Sequence, residues 1–296
     1  MSRGIGGIDI AAGLPESVVI IAALVTALGD VWFVFGLLGL LYWFGTAFPG
    51  ALSLSRPQAA VAIALALGGL ATTTVLKELF RLPRPPGAAD PAGAEMVPAS
   101  LLPLYAEIGA ASGFGFPSGH AISAVVVYGG LGLLVGSRRS YAAAATLCVL
   151  LPLSRVALGV HYLVDVAAGL AVGSVYLLSV YRLCGRGSKP GRAMLLALGV
   201  ALVGGAIGYT TEAMLALGGA LGARLTWGIV GDAVAHGRTT ARGGVAATAV
   251  GLFFTALFAI VYSLESAPYV SFLGMAVVVS GVIVAPLAGE AAARRI

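Results

Sequence analysis

Eight residues in three short segments have the types and spacings that phosphate chemistry requires. The first segment is Lys77, six residues, then Arg84 and Pro85. A cation at the end of an apolar helix is ordinarily an anchor whose stem lies in the lipid layer, and Arg81 reads that way. Pro83 and Pro85 set Arg84 apart, because they break a helix and fix the backbone around one guanidinium. The second segment is Pro117-Ser118-Gly119-His120, where a polar stretch gives way to an apolar run. Free N–H groups and the positive dipole end make such a turn an anion site. Gly119 allows close approach and Ser118 adds a hydroxyl; an ordinary N-cap would explain Ser118 but not His120. The third is Ser154-Arg155, five residues, His161, three residues, Asp165. Four apart, His161 and Asp165 share a face if helical, so the carboxylate can fix the imidazole tautomer and support the cation formed on attack. Pooled, Lys77, Arg84 and Arg155, with Ser118, the Gly119 turn, two histidines and Asp165, make a phosphate pocket holding a nucleophile and an acid. Three cations around a phosphoryl group stabilise its transferring charge much as a metal does, so neither metal nor cofactor is expected.

The elements that must position them lie in lipid. Of 296 residues, 59% are hydrophobic and 10% charged, with a mean hydropathy of +1.01, whereas soluble domains carry about a quarter charged residues. Apolar runs recur at 17–28, 31–48, 59–79, 121–135, 141–158, 163–183, 193–209, 213–230, 245–263 and 269–288. Being continuous, they read as helices and not as barrel strands. The expected fold is all-α: a polytopic transmembrane bundle with a six-helix core over residues 1–184 and three or four additional helices over 185–296. The first run is short, closes at Gly29-Asp30 and reads as a half-buried helix; the run at 213–230 is interrupted by Arg224. Arg3 and the weakly apolar 8–14 stretch carry no cleavage signature. The 43 glycines suit close helix packing. Cys148 and Cys184 are too few for a disulfide framework or a thiolate metal site.

One long polar stretch, Arg81 to Pro117, is rich in Pro and Gly and reads as a structured surface loop. Following helix parity from it, all three segments reach the same face of the membrane. Arg56, Arg138, Arg139, Arg182, Arg186, Lys189 and Arg192 reach the other, as do His236, Arg238, Arg242, Arg294 and Arg295 if both 193–209 and 213–230 span. The excess of cations marks that face as cytoplasmic, so the candidate site faces outward in a multi-pass cell-membrane protein. His236 reads as solvated loop. The net charge of +5 is thus a topology signal; no basic stripe interleaved with aromatics points to nucleic acid.

The three segments in order closely resemble the signature of the type 2 phosphatidic acid phosphatase superfamily, over roughly residues 17–183. The resemblance implies that His161 is the nucleophile and forms a phosphohistidine, that Asp165 orients it, and that His120 protonates the leaving oxygen and later activates water. It also implies that Lys77, Arg84, Ser118, Gly119 and Arg155 bind the phosphate. The substrates it implies are lipid phosphates and diphosphates, including phosphatidate, phosphatidylglycerol phosphate and polyprenyl diphosphates, and for some members sugar phosphates, so substrate choice stays open. A vanadate-dependent haloperoxidase shares such a pocket but is soluble. Phosphotransfer to another acceptor and a non-catalytic lipid transporter or channel are the alternatives; oligomeric state is unread.

Overall fold

A computed structural model describes residues 13–48, 50, 52–263 and 267–295; the Arg3 and most of the 8–14 stretch lie outside the described residues. The fold is all-α, with no strand among the described residues. In chain order the helices are α1 (Glu16–Ala27), α2 (Val31–Phe44), α3 (Arg56–Phe80), α4 (Leu102–Gly109), α5 (Gly119–Val135), α6 (Arg138–Ala157), α7 (Leu163–Leu183), α8 (Pro190–Ile207), α9 (Thr211–His236), α10 (Ala241–Ser263) and α11 (Pro268–Ala293). Seven are long and apolar enough to cross a membrane: α3, α6, α7, α8, α9, α10 and α11. An eighth span arises if α1 and α2, bent by 47° at their junction, are one broken crossing. At 17 residues, α5 is about 25 Å long, and a wide π-helical turn over Ala124–Gly129 interrupts it.

Local sequence sets the boundaries. Ser55 starts α3 with a capping box to Gln58, Ser137 does the same for α6 with Ser140, and Thr210 caps α9 by accepting from the Ala213 N–H. The long apolar helices alternate in direction. Lys77, the start of α5 and the end of α6 therefore share one end of the bundle. The basic residues of the connections α2–α3, α5–α6, α7–α8 and α9–α10 collect at the other. That basic end is clasped by a buried ion pair. Arg56 Nη2 lies 3.1 Å from Glu290 Oε1, and Glu290 also accepts from the Thr240 N–H at 2.8 Å and its hydroxyl at 3.0 Å. The clasp ties α11 and the α9–α10 turn to the start of α3.

Beyond α7, α8 and α9 pack along α3, and α9 packs closely on α11. Small residues permit this, as expected between helices in lipid. A Cβ on Gly218 would lie 2.1 Å from the Phe272 carbonyl oxygen, and one on Gly222 2.4 Å from that of Ala276.

α1, read as a half-buried helix, is the site-end limb of a bent pair, packing Val19, Ala22 and Ala23 against Ala88, Leu158 and Val160 while Ile21 and Leu24 stay exposed. Several other expectations change. The long loop contains α4, absent from the sequence reading, started by Pro103 in its first turn. α9 runs unbroken through Arg224, whose guanidinium extends over Gly228, where a Cβ would meet Nη1 at 2.9 Å. His236 is not loop but the last residue of α9, its Nδ1 3.0 Å from the Asp232 carbonyl.

Candidate active site

The site forms where four elements stop at the same level. α3 ends just past Lys77, with Arg81 in a left-handed conformation at φ 47° and its guanidinium paired to Glu78 on the surface. Arg81 is thus an anchor outside the site, as expected. The chain then turns inward through Pro83 to Arg84, whose guanidinium is held on three sides. Its Nε donates to the Ser112 carbonyl at 2.9 Å, and its Nη1 donates to the Val160 carbonyl at 3.1 Å and faces His161 Nε2 at 2.9 Å. Arg155, in the last turn of α6, is buried. Its Nη1 donates to Thr26 Oγ1 at 3.0 Å and to the Ile108 carbonyl at 3.3 Å. The long loop is therefore hung on two arginines by its own carbonyls, at Ile108 in α4 and at Ser112 just beyond it.

Ser118 is the N-cap of α5. Its Oγ accepts from the Ala121 N–H at 3.4 Å, and its own N–H donates to the Asp165 carbonyl at 2.9 Å. Capping and phosphate recognition are compatible here, because an accepting hydroxyl still has its proton to donate. Gly119 lets this turn press on α3, since a Cβ there would lie 3.0 Å from Thr73 Cγ2. Gly169 lets α7 approach the same turn, since its Cβ would lie 2.6 Å from the Ser118 carbonyl oxygen.

His161 and Asp165 meet, but not on one helix. α7 begins at Leu163 after the N-cap Tyr162, so His161 sits in the turn before it. Gly159, at φ +69°, supplies the left-handed residue that this turn needs. Asp165 is the third residue of α7, and its Oδ2 accepts from the Tyr162 N–H at 3.1 Å while facing His161 Nδ1 at 3.4 Å. The carboxylate thus caps the helix and orients the ring together. Both side chains are almost fully buried, at 2% and 0% exposed.

This geometry sets the state of His161. Burial, then the charges of Arg84, Arg155, Lys77 and His120, hold its pKa well below the ordinary imidazole value of 6.5. A neutral ring that donates its Nδ1–H to Asp165 in a hydrogen bond keeps a lone pair on Nε2, the nitrogen facing Arg84. Since the folded pKa is depressed, protonation removes that lone pair only at pH well under 6.5. In a kcat/KM profile corrected for ionisation of the substrate phosphate, the acid limb is expected below 6.5. A limb at or above that value would contradict the assignment.

All eight residues singled out in the sequence lie at this one end. Arg84, Ser118, His161 and Asp165 are linked directly, Lys77 and His120 line one cavity with Gly119, and Arg155 stands close enough to act on His161. Sequence reasoning missed Thr26, Asp30 and the carbonyls of Ile108 and Ser112. Asp30 alone left a signal: an ionisable residue between two apolar runs.

Residues 58–187 match the family model of the PAP2 superfamily, a segment that contains all eight residues. No curated protein and no solved structure matches the chain. That match, over somewhat under half of the chain, supports placing residues 58–187 in the PAP2 superfamily, a family generally of phosphatases, in a chain with seven helices long and apolar enough to cross a membrane among its described residues.

Proposed function

We propose that this protein hydrolyses the phosphate monoester or diphosphate of a lipid, without a metal, through a phosphohistidine on His161, at the extracytoplasmic face of the cell membrane. One observation carries the lipid assignment. A cavity of about 210 Å³ runs from Lys77 and His120 down between α2, α3 and α5, walled by Val34, Phe35, Ala66, Leu70 and Val126. Ala66 lies eleven residues before Lys77, about 16 Å along a helix, or roughly half the depth of a bilayer core. A head group held by the cations thus leaves its apolar chain a path into the membrane.

In this mechanism the phosphoryl oxygens bind Lys77, Arg84, Arg155, Ser118 Oγ and the free N–H groups at the start of α5. Arg84 turns its Nη1 from His161 to the phosphate. Nε2 of His161 attacks phosphorus in line, the P–O bond to the lipid breaks, and His120 gives the departing oxygen a proton. Asp165 stabilises the imidazolium-like phosphohistidine. Water, deprotonated by His120, then attacks phosphorus, the P–N bond breaks, and its electron pair returns to Nε2. The donor set supports a metal-free course, since three cations suit an anion and repel a metal ion.

Filling the crevice tests the substrate class. Leu70→Trp is expected to lower kcat/KM for a long-chain lipid phosphate about tenfold or more, while leaving a short water-soluble phosphate ester within about twofold. Equal losses on both would remove the crevice from substrate binding. Topology is tested with single cysteines in a Cys148→Ala, Cys184→Ala background. Ala99→Cys, exposed in the long loop, is expected to react with an impermeant thiol reagent in intact cells, and Arg139→Cys, at the basic end, is not. The reverse pattern would put the site in the cytoplasm.

A further inference from the structure

His120 has a problem that the three signature segments do not solve. A proton donor must hold its proton until the leaving oxygen needs it, yet burial, and then the charges of Arg155 and Lys77, disfavour a positive charge on this ring. Asp165 is engaged with His161 and the Tyr162 N–H. The carboxylate that faces His120 comes from outside the segments: Asp30 Oδ1 lies 3.1 Å from His120 Nε2.

Several features show that this contact is built. Asp30 is the N-cap of α2, where an aspartate ordinarily accepts from the N–H groups of the first turn, yet its side chain makes no cap hydrogen bond. It is turned to His120 instead. The break between α1 and α2 is pinned where this requires. Tyr128 of α5 donates to the Leu28 carbonyl at 2.5 Å, and Arg155 donates to Thr26 Oγ1 at 3.0 Å. Gly29 has no side chain to obstruct the ring, for a Cβ there would lie 2.6 Å from His120 Cδ2. The 47° bend thus puts a carboxylate where a continuous helix would put none.

We propose that Asp30 is a positioning residue for His120, forming with it a second His–Asp dyad that makes His120 an effective acid. The inference rests on the reading of His120 as the proton donor. Asp30 accepts the Nε2–H and remains a carboxylate throughout. Its negative charge works against burial and the charges of Arg155 and Lys77, and so favours the imidazolium that holds a proton on Nδ1, the nitrogen left for the leaving oxygen. That proton passes to the oxygen as its bond to phosphorus breaks. In the second half-reaction Nδ1 takes a proton from the attacking water and the dyad is restored.

The test uses the full chain in detergent with two phosphate esters. Release of an alkoxide needs a proton; release of p-nitrophenolate scarcely does. Rates of the first turnover are measured for wild type, Asp30→Asn, Asp30→Glu, His120→Ala and the Asp30→Asn, His120→Ala double variant. Asp30→Asn is expected to slow release from an alkyl phosphate by roughly tenfold or more and leave the p-nitrophenol burst near wild type. Asp30→Glu, which keeps the charge, is expected to recover part of the loss. In the double variant, Asp30→Asn adds no loss to that of His120→Ala. The proposal is overturned if Asp30→Asn slows both esters alike, slows neither, compounds the loss of His120→Ala, or is matched by Asp30→Glu. If His120→Ala shows the leaving-group dependence and Asp30→Asn does not, the acid assignment stands and only the dyad fails. If His120→Ala slows both esters alike, the acid assignment itself fails and the dyad with it.

Discussion

Replacing His161 by alanine is expected to lower phosphate release from a lipid phosphate about a hundredfold or more, with the purified protein assayed in EDTA. His161 stands apart because its Nε2 is held against the Arg84 guanidinium while its other nitrogen faces a fully buried carboxylate. Alanine removes the attacking atom and leaves the cations in place, so phosphate binding should survive. His120→Ala is expected to show a loss of similar size on lipid substrates, by removing the proton donor. Two results would overturn this account: activity that persists in His161→Ala, or wild-type activity that vanishes with the chelator. Inhibition by inorganic phosphate provides the control, because a His161→Ala variant that has lost turnover yet still binds phosphate has lost chemistry and kept its fold.

The second large effect is expected at Arg84. Lysine keeps the charge there but not the shape. Arg84 reaches the Ser112 carbonyl, the Val160 carbonyl and His161 Nε2 from one planar group, and an ammonium on a flexible stem cannot satisfy all three directions together. Arg84→Lys is therefore expected to lower kcat/KM by roughly a hundredfold, with kcat lowered and KM raised, since in the proposed mechanism the same guanidinium positions the turn that carries His161 and binds the phosphoryl oxygens. Steady-state kinetics decide it. Activity within a few-fold of wild type would mean that charge alone matters at this position, and that the three-way hold has no part in catalysis.

The site was legible in the sequence to the extent that its residues sit at helix ends. Lys77, Arg84, Ser118, Arg155 and His161 flank apolar runs whose lengths and order determine which end of the bundle each reaches, so hydropathy and parity suffice to gather them. His161 and Asp165 illustrate the limit of spacing arguments. Their separation suggested a shared helical face, but α7 begins between them, after a turn at Gly159, and the Asp165 carboxylate that caps it at the Tyr162 N–H also faces the His161 ring. Asp30 and Thr26 were out of reach, because their partners His120 and Arg155 are about a hundred residues away in sequence and are met only through the bend at Gly29. The loop's carbonyl contacts were equally invisible, since a carbonyl has no residue signature.

The helices after Leu183 were readable as helices from hydropathy alone. Their arrangement was not, because it rests on backbone contacts at Gly218 and Gly222 and on a clasp between Arg56 and Glu290. Nothing in the spacing of Arg56 and Glu290 links them. Arg224 interrupts an apolar run without ending its helix, because a long side chain can lie over the bare surface at Gly228.

The proposed covalent intermediate is tested most directly by the stereochemistry of transfer at phosphorus, using an isotopically chiral thiophosphate ester hydrolysed in labelled water. Attack by His161 inverts the configuration, and attack by water on the phosphohistidine inverts it again, so net retention is expected. Net inversion would mean that water attacks the ester directly, and that His161 is not the nucleophile.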